Sequence, residues 1–170
     1  TGPQFYRATP VLNPTVVSDL SPRMASRSAS AALTALPDPI GAFNDAAAAA
    51  EQIPDDPRKR SMCWVLIDEV EPGAWTCGAS DMSARLLPCL AVIYVPAGVL
   101  DDASQAMYVD LVHAAFQQSL PAAEKRQLAT SVILHHVVDG TWGVNDAIWR
   151  LPDFAQAAGY AHLQALLPRA

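Results

Sequence analysis

Short apolar runs divide this chain into elements of alternating type. Residues 62–70, 89–95 and 130–138 are rich in β-branched and other apolar side chains. Runs of this length, bounded by turn-forming residues, are typical of buried strands. Residues 3–9 alternate between two sets of side chains and predict a further strand. The pattern therefore predicts four main strands, separated by longer segments of helical character.

The clearest helical pattern lies between the third and fourth predicted strands. Residues 101–118 are amphipathic, and Asp101 or Asp102 is placed to cap the amino end. A second Ala-rich helical pattern covers residues 17–35. The predicted apolar face of the helix 101–118 consists of Ala106, Val109, Val112, Ala115 and Phe116.

Two further segments predict helices. The alanine run 43–53 predicts a short helix with Asn44 or Asp45 as its N-cap. Residues 151–167 predict a helix that closes the chain, with Asp153 able to cap it. Helices and strands therefore alternate along most of the sequence, which is the pattern of an α/β fold.

One pattern occurs twice along the chain. Residues 64–76 read WVLIDEVEPGAWT, and residues 131–143 read SVILHHVVDGTWG. The two align without a gap, so that Trp142 matches Trp75 and Gly140 matches Gly73. We interpret the repeat as an internal duplication of one β-α-β unit.

The duplication predicts one domain, 1–170, built from two copies. The first copy is 1–86, with an insertion at 37–60, and the second copy with the closing helix is 87–170. A β-α-β crossover within one sheet requires parallel strands and a right-handed connection. The predicted fold is therefore α/β, a four-stranded mixed sheet with two helices on one face.

Composition narrows the range of partners. The net charge is -6, the only basic cluster is 58–60, and nucleic acid and anionic membranes are therefore not expected. No apolar run reaches the length of a membrane-spanning helix and no signal-peptide pattern opens the sequence, so we expect a cytoplasmic protein. Three cysteines without a CxxC pair predict neither a disulfide framework nor a zinc site. Only 16% of residues are charged, which suggests that partner subunits cover apolar surface.

Three motifs of the second copy point to a known family. Pro88 opens the strand PCLAVIYVP, the helix VDLVHAAF follows, and SVILHHVVDGTWGVN supplies a second strand and a turn with an aromatic residue before glycine. Together they resemble the tautomerase superfamily, the group of 4-oxalocrotonate tautomerase and macrophage migration inhibitory factor. The resemblance implies a homotrimer whose sheets form a central barrel, and an isomerase that needs no cofactor or metal.

The chemistry of that family rests on an amino-terminal proline, and the matching residue here is Pro3. The amine of a free amino terminus has a pKa of about 7.7–8.0, which an apolar pocket lowers by disfavouring the cation. Such an amine can move a proton between a carbon and an enol oxygen. The resemblance implies a small carboxylate-bearing substrate, an enol or α-keto acid. Its predicted binding residues are Arg7, Tyr6, Trp75, Trp142 and His135, with Arg7 on the carboxylate.

The sequence departs from the family pattern at two places. Thr1-Gly2 precede Pro3, and a proline inside a chain is an amide without a basic lone pair. The family's second-strand arginine would fall on Ser131 and Trp64, and neither is basic. These departures keep open a non-catalytic trimeric protein of the same fold that serves as a binding or interaction module.

Two acidic residues and two histidines leave further alternatives open. A dehalogenase or decarboxylase relative would need a carboxylate that activates water, and Asp68 or Glu69 are the strand candidates. In the second copy His135 and His136 replace them. Adjacent strand residues face opposite sides of a sheet, so at most one of the two histidines faces a given pocket. The other interpretation of this pair is packing or solvent exposure.

Overall fold

A computed structural model describes residues 5–10, 39–70 and 75–167 of the chain. It is a mixed α/β fold. The strands are β1 (Phe5–Pro10), β2 (Val65–Val70), β3 (Leu86–Pro96), β4 (Gln127–Val137), β5 (Trp142–Val144) and β6 (Ala147–Trp149). The helices are α1 (Pro39–Ala50), α2 (Pro57–Arg60), α3 (Asp102–Gln118) and α4 (Leu151–Ala158), followed by a 3-10 helix (Ala161–Leu166). The predicted helix 17–35 lies outside the described residues.

Four strands pair in the order β2-β1-β3-β4. β3 and β4 run parallel along their whole length, from Leu86 opposite Gln127 to Pro96 opposite Val137. Helix α3 connects these two strands, so the second copy is the predicted β-α-β unit. Long apolar strands and a capped helix between them specify this unit locally.

The first copy differs from the prediction. β1 and β2 pair antiparallel, with Phe5 opposite Val70 and Pro10 opposite Val65. β1 instead runs parallel to β3. The sequence repeat therefore does not become a repeated topology, and the first copy is not a parallel β-α-β unit. Similar apolar runs specify a strand but not its direction, which depends on how the connection returns to the sheet.

Helix α1 is part of the core, although its sequence lies within the predicted insertion. Its alanines pack directly against α3, and Phe43 meets Phe116 edge to face with ring centroids 4.8 Å apart. Small side chains allow such close packing of two helices. The buried residues of α1 are Phe43, Ala46, Ala47, Ala48 and Ala50. The predicted N-caps Asn44 and Asp45 are wrong, because both lie inside a helix that begins at Pro39.

Helix α3 begins as predicted. The Asp101 carboxylate accepts a hydrogen bond from the backbone N–H of Ser104, and the Ser104 hydroxyl oxygen accepts one from the backbone N–H of Asp101. This reciprocal capping box satisfies donors that a helix start leaves unpaired. The predicted face is partly wrong, because Val109 is 39% exposed. The buried residues of α3 are Tyr108, Val112, Ala115 and Phe116.

The core lies between the helices and one face of the sheet. β3 contributes its alternate residues to that face, as the period of a strand requires. Those residues are Leu87, Cys89, Ala91, Ile93 and Val95. The predicted closing helix 151–167 is instead divided at Gly159, which has φ +73° and ends α4. Asp153 contributes to the cap of α4 as N3, where its carboxylate accepts from the N–H of Arg150.

Candidate functional site

The start of β1 holds two of the predicted site residues. The backbone of Tyr6 pairs with Cys89 of β3, and the backbone of Arg7 pairs with Asp68 of β2 and Leu90 of β3. Both residues therefore lie in the interior of the sheet, between two neighbouring strands. Pro3, the predicted base, lies outside the described residues.

Trp75 belongs to the same end of the sheet. β2 is antiparallel to β1 and β3 is parallel to β1, so β2 ends where β3 begins. The connection between them contains Trp75, which is half-buried. Trp75 therefore lies in a connection at the end of the sheet where β1 begins, the end nearer to Tyr6 and Arg7.

His135 and Trp142 lie towards the opposite end. His135 pairs with Tyr94 of β3, five residues beyond the Cys89 that pairs with Tyr6. At about 3.3 Å per residue along a parallel strand, that is a separation of about 16 Å. Trp142 is further along the chain, in β5, after β4 has ended. A single chain therefore does not gather the predicted substrate-binding residues around one small molecule.

Trp142 is held by packing within its own chain. It opens the two-stranded hairpin β5–β6, in which it pairs with Trp149. The rings of both tryptophans lie 5.2 Å, centroid to centroid, from the ring of Phe154 in α4. A cleft of about 440 Å³ is lined by residues of β6 and α4 that include Ile148, Trp149 and Asp153.

Among the described residues, apolar side chains are exposed on the sheet face opposite the helices. Leu66 of β2 is 64% exposed and Ile133 of β4 is 42% exposed, although both strands were predicted to be buried. Tyr94 and His135 stack on each other along this sheet at 4.9 Å, with nearly parallel rings. His135 and His136 are both exposed. Exposed apolar side chains on one face of a sheet are typical of a surface that a partner molecule covers.

A buried polar cluster that the sequence analysis missed lies in the core. Glu51, just after α1, is 2% exposed. Its Oε1 accepts a hydrogen bond of 3.1 Å from the hydroxyl of Tyr108, and its Oε2 accepts one of 3.2 Å from the hydroxyl of Tyr160. Burial raises the pKa of Glu51 to about 7, and the two phenol hydrogen bonds oppose that rise. A carboxyl that is mostly protonated below neutral pH is thus built into the apolar core.

The cluster also affects the pKa of a neighbouring thiol. Burial raises the pKa of the Cys63 thiol to about 12, and the charge of Glu51 adds to the rise while Arg60 opposes it. Cys63 is therefore a packed thiol and not a nucleophile. The signal that could have found Glu51 is its spacing, because Phe43, Ala47 and Glu51 follow one another at intervals of four and share one helix face.

Ion pairs elsewhere have structural roles. Arg126 Nη2 lies 2.6 Å from a carboxylate oxygen of Glu124. The pKa of Glu124 is lowered to about 2, mainly by this side-chain hydrogen bond and also by the positive charge of Arg126. Arg60 binds Asp45 and Asp55 and so ties α2 to α1. Among residues 5–10, 39–70 and 75–167, no group of three His, Cys, Asp or Glu side chains is arranged to hold a metal ion. Within the same ranges, no helix combines the length and apolarity needed to cross a bilayer.

Comparison with known proteins adds no relative. No family model, no curated protein and no solved structure matches this chain. Function therefore has to be argued from the residues and their geometry.

Proposed function

We propose that the protein is a tautomerase-like isomerase that moves a proton on a small enol or α-keto acid, with the amine of Pro3, once Pro3 is exposed as an amino terminus, as the base. The observation that carries this proposal is the β3-α3-β4 unit. Two adjacent parallel strands are joined by one helix, and a hairpin that begins with Trp142 follows directly. This is the arrangement that the tautomerase-like motifs of the second copy predict.

The proposed reaction needs only a proton carrier and a carboxylate binder. The Pro3 amine removes the proton from the enol oxygen, the carbonyl forms, and the resulting ammonium delivers a proton to the neighbouring carbon. The amine is regenerated, so no oxidant, metal or cofactor enters the balance. Arg7, four residues after Pro3, is the proposed partner of the substrate carboxylate.

The proposed site includes more than one chain. Tyr6 and Arg7 lie opposite Cys89 and Leu90 of β3, and His135 lies four to five residues, about 13–16 Å, further along that strand. The exposed Leu66 and Ile133 support an assembly in which another copy, as in the proposed homotrimer, brings the second set of residues next to the first. Apolar contacts of this kind drive subunit association.

The test compares two forms of the protein that differ only in the amine. A chain that begins at Pro3 should ketonise phenylenolpyruvate, while a chain that retains Thr1-Gly2 should not, because its Pro3 nitrogen is an amide. Pro3→Ala in the shorter chain replaces the secondary amine with a primary one and should lower kcat by about 10² or more. Equal activity of all three proteins contradicts the proline mechanism.

The division of the site favours a second function, a non-catalytic binding protein of the same fold. The supporting observation is that Trp142 is already packed on Phe154 and does not need a ligand to be held. In that case neither form of the chain ketonises the enol. Calorimetric titration with phenylpyruvate would still detect binding, and Arg7→Ala would weaken it in both forms.

A further inference from the structure

Glu51 joins three separate parts of the fold through one carboxyl group. It follows α1 directly, it accepts from Tyr108 of α3, and it accepts from Tyr160 of segment 151–167, which contains α4 and the 3-10 helix. Glu51, Tyr108 and Tyr160 are all at most 2% exposed. The carboxyl is therefore a buried junction and has no direct path to water.

Hydrogen bonds attach segment 151–167 to three other parts of the chain. The backbone N–H of Ala161 donates to the carbonyl of Gln52, the residue after Glu51, at 3.0 Å. Lys59 Nζ donates to the carbonyl of Gln156, and His162 Nε2 donates to the carbonyl of Val99 at 2.8 Å. The apolar anchors of the segment are Phe154, Ala155, Ala158 and Tyr160.

The segment makes fewer contacts with the other helices and strands than α3 makes. Helix α3 packs along α1 and against β4, whereas α4 makes its main contacts with the 3-10 helix and the short helix α2. Gly159 also divides the segment into two short pieces. Elements with few packed neighbours open at lower cost than core strands and helices.

Few charges act on the Glu51 carboxyl. The titratable groups that face it are Tyr108, Tyr160 and Cys63, all of them neutral near pH 7. Among the described side chains no cation forms an ion pair with it; Arg60, which acts on Cys63, is engaged by two aspartates. Strands β1 and β2 also pack against α1, and their titratable residues are Tyr6, Arg7, Asp68 and Glu69, whose side chains lie outside what the structure describes.

Both protonation states can keep the hydrogen bonds, but only one of them fits an apolar core. A neutral carboxyl accepts from one phenol and donates its own proton to the oxygen of the other, so both contacts are kept without a charge. An ionised carboxyl accepts from both phenols and still lacks the water that stabilises a charge. Opening the nearest weakly attached element admits that water.

We propose that the protonation state of Glu51 controls how tightly segment 151–167 packs on the fold, with tight packing when the carboxyl is neutral and local opening when it is ionised. The sign follows from the two states. The packed carboxyl has a pKa of about 7 and the solvated one about 4.5. The packed state is therefore favoured most below pH 4.5 and loses its advantage as pH rises to about 7. This inference does not depend on the proposed catalytic function.

Hydrogen–deuterium exchange of the full chain tests the proposal. Amides of segment 151–167, with rates corrected for intrinsic exchange, should be less protected than those of β3 and should lose protection on the order of 100-fold between about pH 4.5 and about pH 8. Glu51→Gln keeps the shape and the hydrogen bonds but cannot ionise, so its protection should not change over this range. Asp110→Asn, an exposed carboxyl on α3, is the matched control and should behave as the wild type does.

A second variant keeps the proposal testable if Glu51→Gln fails to fold. Tyr160→Phe removes one hydrogen bond that favours the carboxylate and so raises the pKa of the packed carboxyl, and the loss of protection should therefore continue to higher pH than in the wild type. The proposal is overturned if wild-type segment 151–167 shows no pH dependence, if Glu51→Gln retains it, or if the segment and β3 exchange with equal protection at every pH. The last result would mean that the segment opens only when the whole domain unfolds.

Discussion

Glu51 predicts an unusual pH dependence of global stability. Carboxylates that are ion-paired in the folded protein stabilise it as pH rises, whereas Glu51 has a pKa of about 7 in the folded protein and about 4.5 when solvated. Between these values the folded state holds a proton that the unfolded state has lost, so stability falls with rising pH. The difference of about 2.5 pKa units, at about 1.36 kcal/mol each, corresponds to about 3 kcal/mol of unfolding free energy.

Glu124 acts in the opposite direction and in a different pH range. Its folded pKa of about 2 lies below the ordinary value of 4.5, because Arg126 stabilises the carboxylate. Its contribution is therefore present above pH 4.5 and is lost as pH falls towards 2. Water screens this pair near the surface, so we expect about 1 kcal/mol from it. Together the two carboxyls predict a stability maximum near pH 4.5 to 5.

Urea denaturation across pH, followed by far-ultraviolet circular dichroism, measures both effects. Glu51→Gln should match the wild type near pH 4.5 and should exceed it by about 3 kcal/mol at pH 8, because only the wild type carries a buried charge there. Asp110→Asn should leave the profile unchanged. A wild type that gains stability from pH 5 to pH 8, or a Glu51→Gln variant that is less stable than the wild type at pH 8, would refute this reasoning.

Two other changes test the packing and the helix start. Phe154→Ala should lower the unfolding free energy by about 3–5 kcal/mol and shift the fluorescence of the two tryptophans that contact it. Phe154→Leu should retain most of the stability, because it keeps most of the apolar volume; equal losses in the two variants would contradict this and mean that the ring itself is required. Asp101→Ala removes the capping carboxylate of α3 and should cost about 1 kcal/mol in the same denaturation assay, and Asp101→Asn, which keeps an acceptor, should cost less.

Local signals predicted the second half of the chain well. The strand runs of β3 and β4 and the Asp101 cap of α3 each agree with the final structure, because the unit is specified by neighbours in sequence. Strand direction in the first half was not predictable, since the repeat at 64–76 and 131–143 fixes apolar spacing and nothing more. The two copies therefore became one antiparallel and one parallel pair.

Local sequence patterns also could not show that the alanine helix belongs to the core or that Glu51 is buried. Alanines are compatible with an exposed connector or a tightly packed core helix, and only the contact with α3 decides between them. Glu51 ends that run, and a charged residue at the end of a helix is usually solvated. Its two phenol partners are distant in sequence, at Tyr108 and Tyr160, so no local pattern joins them.

The position of the predicted site residues has a consequence for assembly under the proposed function. Within one chain, Arg7 lies opposite Leu90 of β3 and His135 lies opposite Tyr94, about 13 Å further along that strand. Parallel strands cannot bring their two ends together, because each residue adds about 3.3 Å in the same direction. In the proposed trimer, another copy brings its own His135 to the Arg7 of the first, so that a substrate of a few carbon atoms contacts both groups. The exposed Leu66 and Ile133 provide apolar surface for such a boundary, so activity and oligomerisation should be lost together when that surface is made polar.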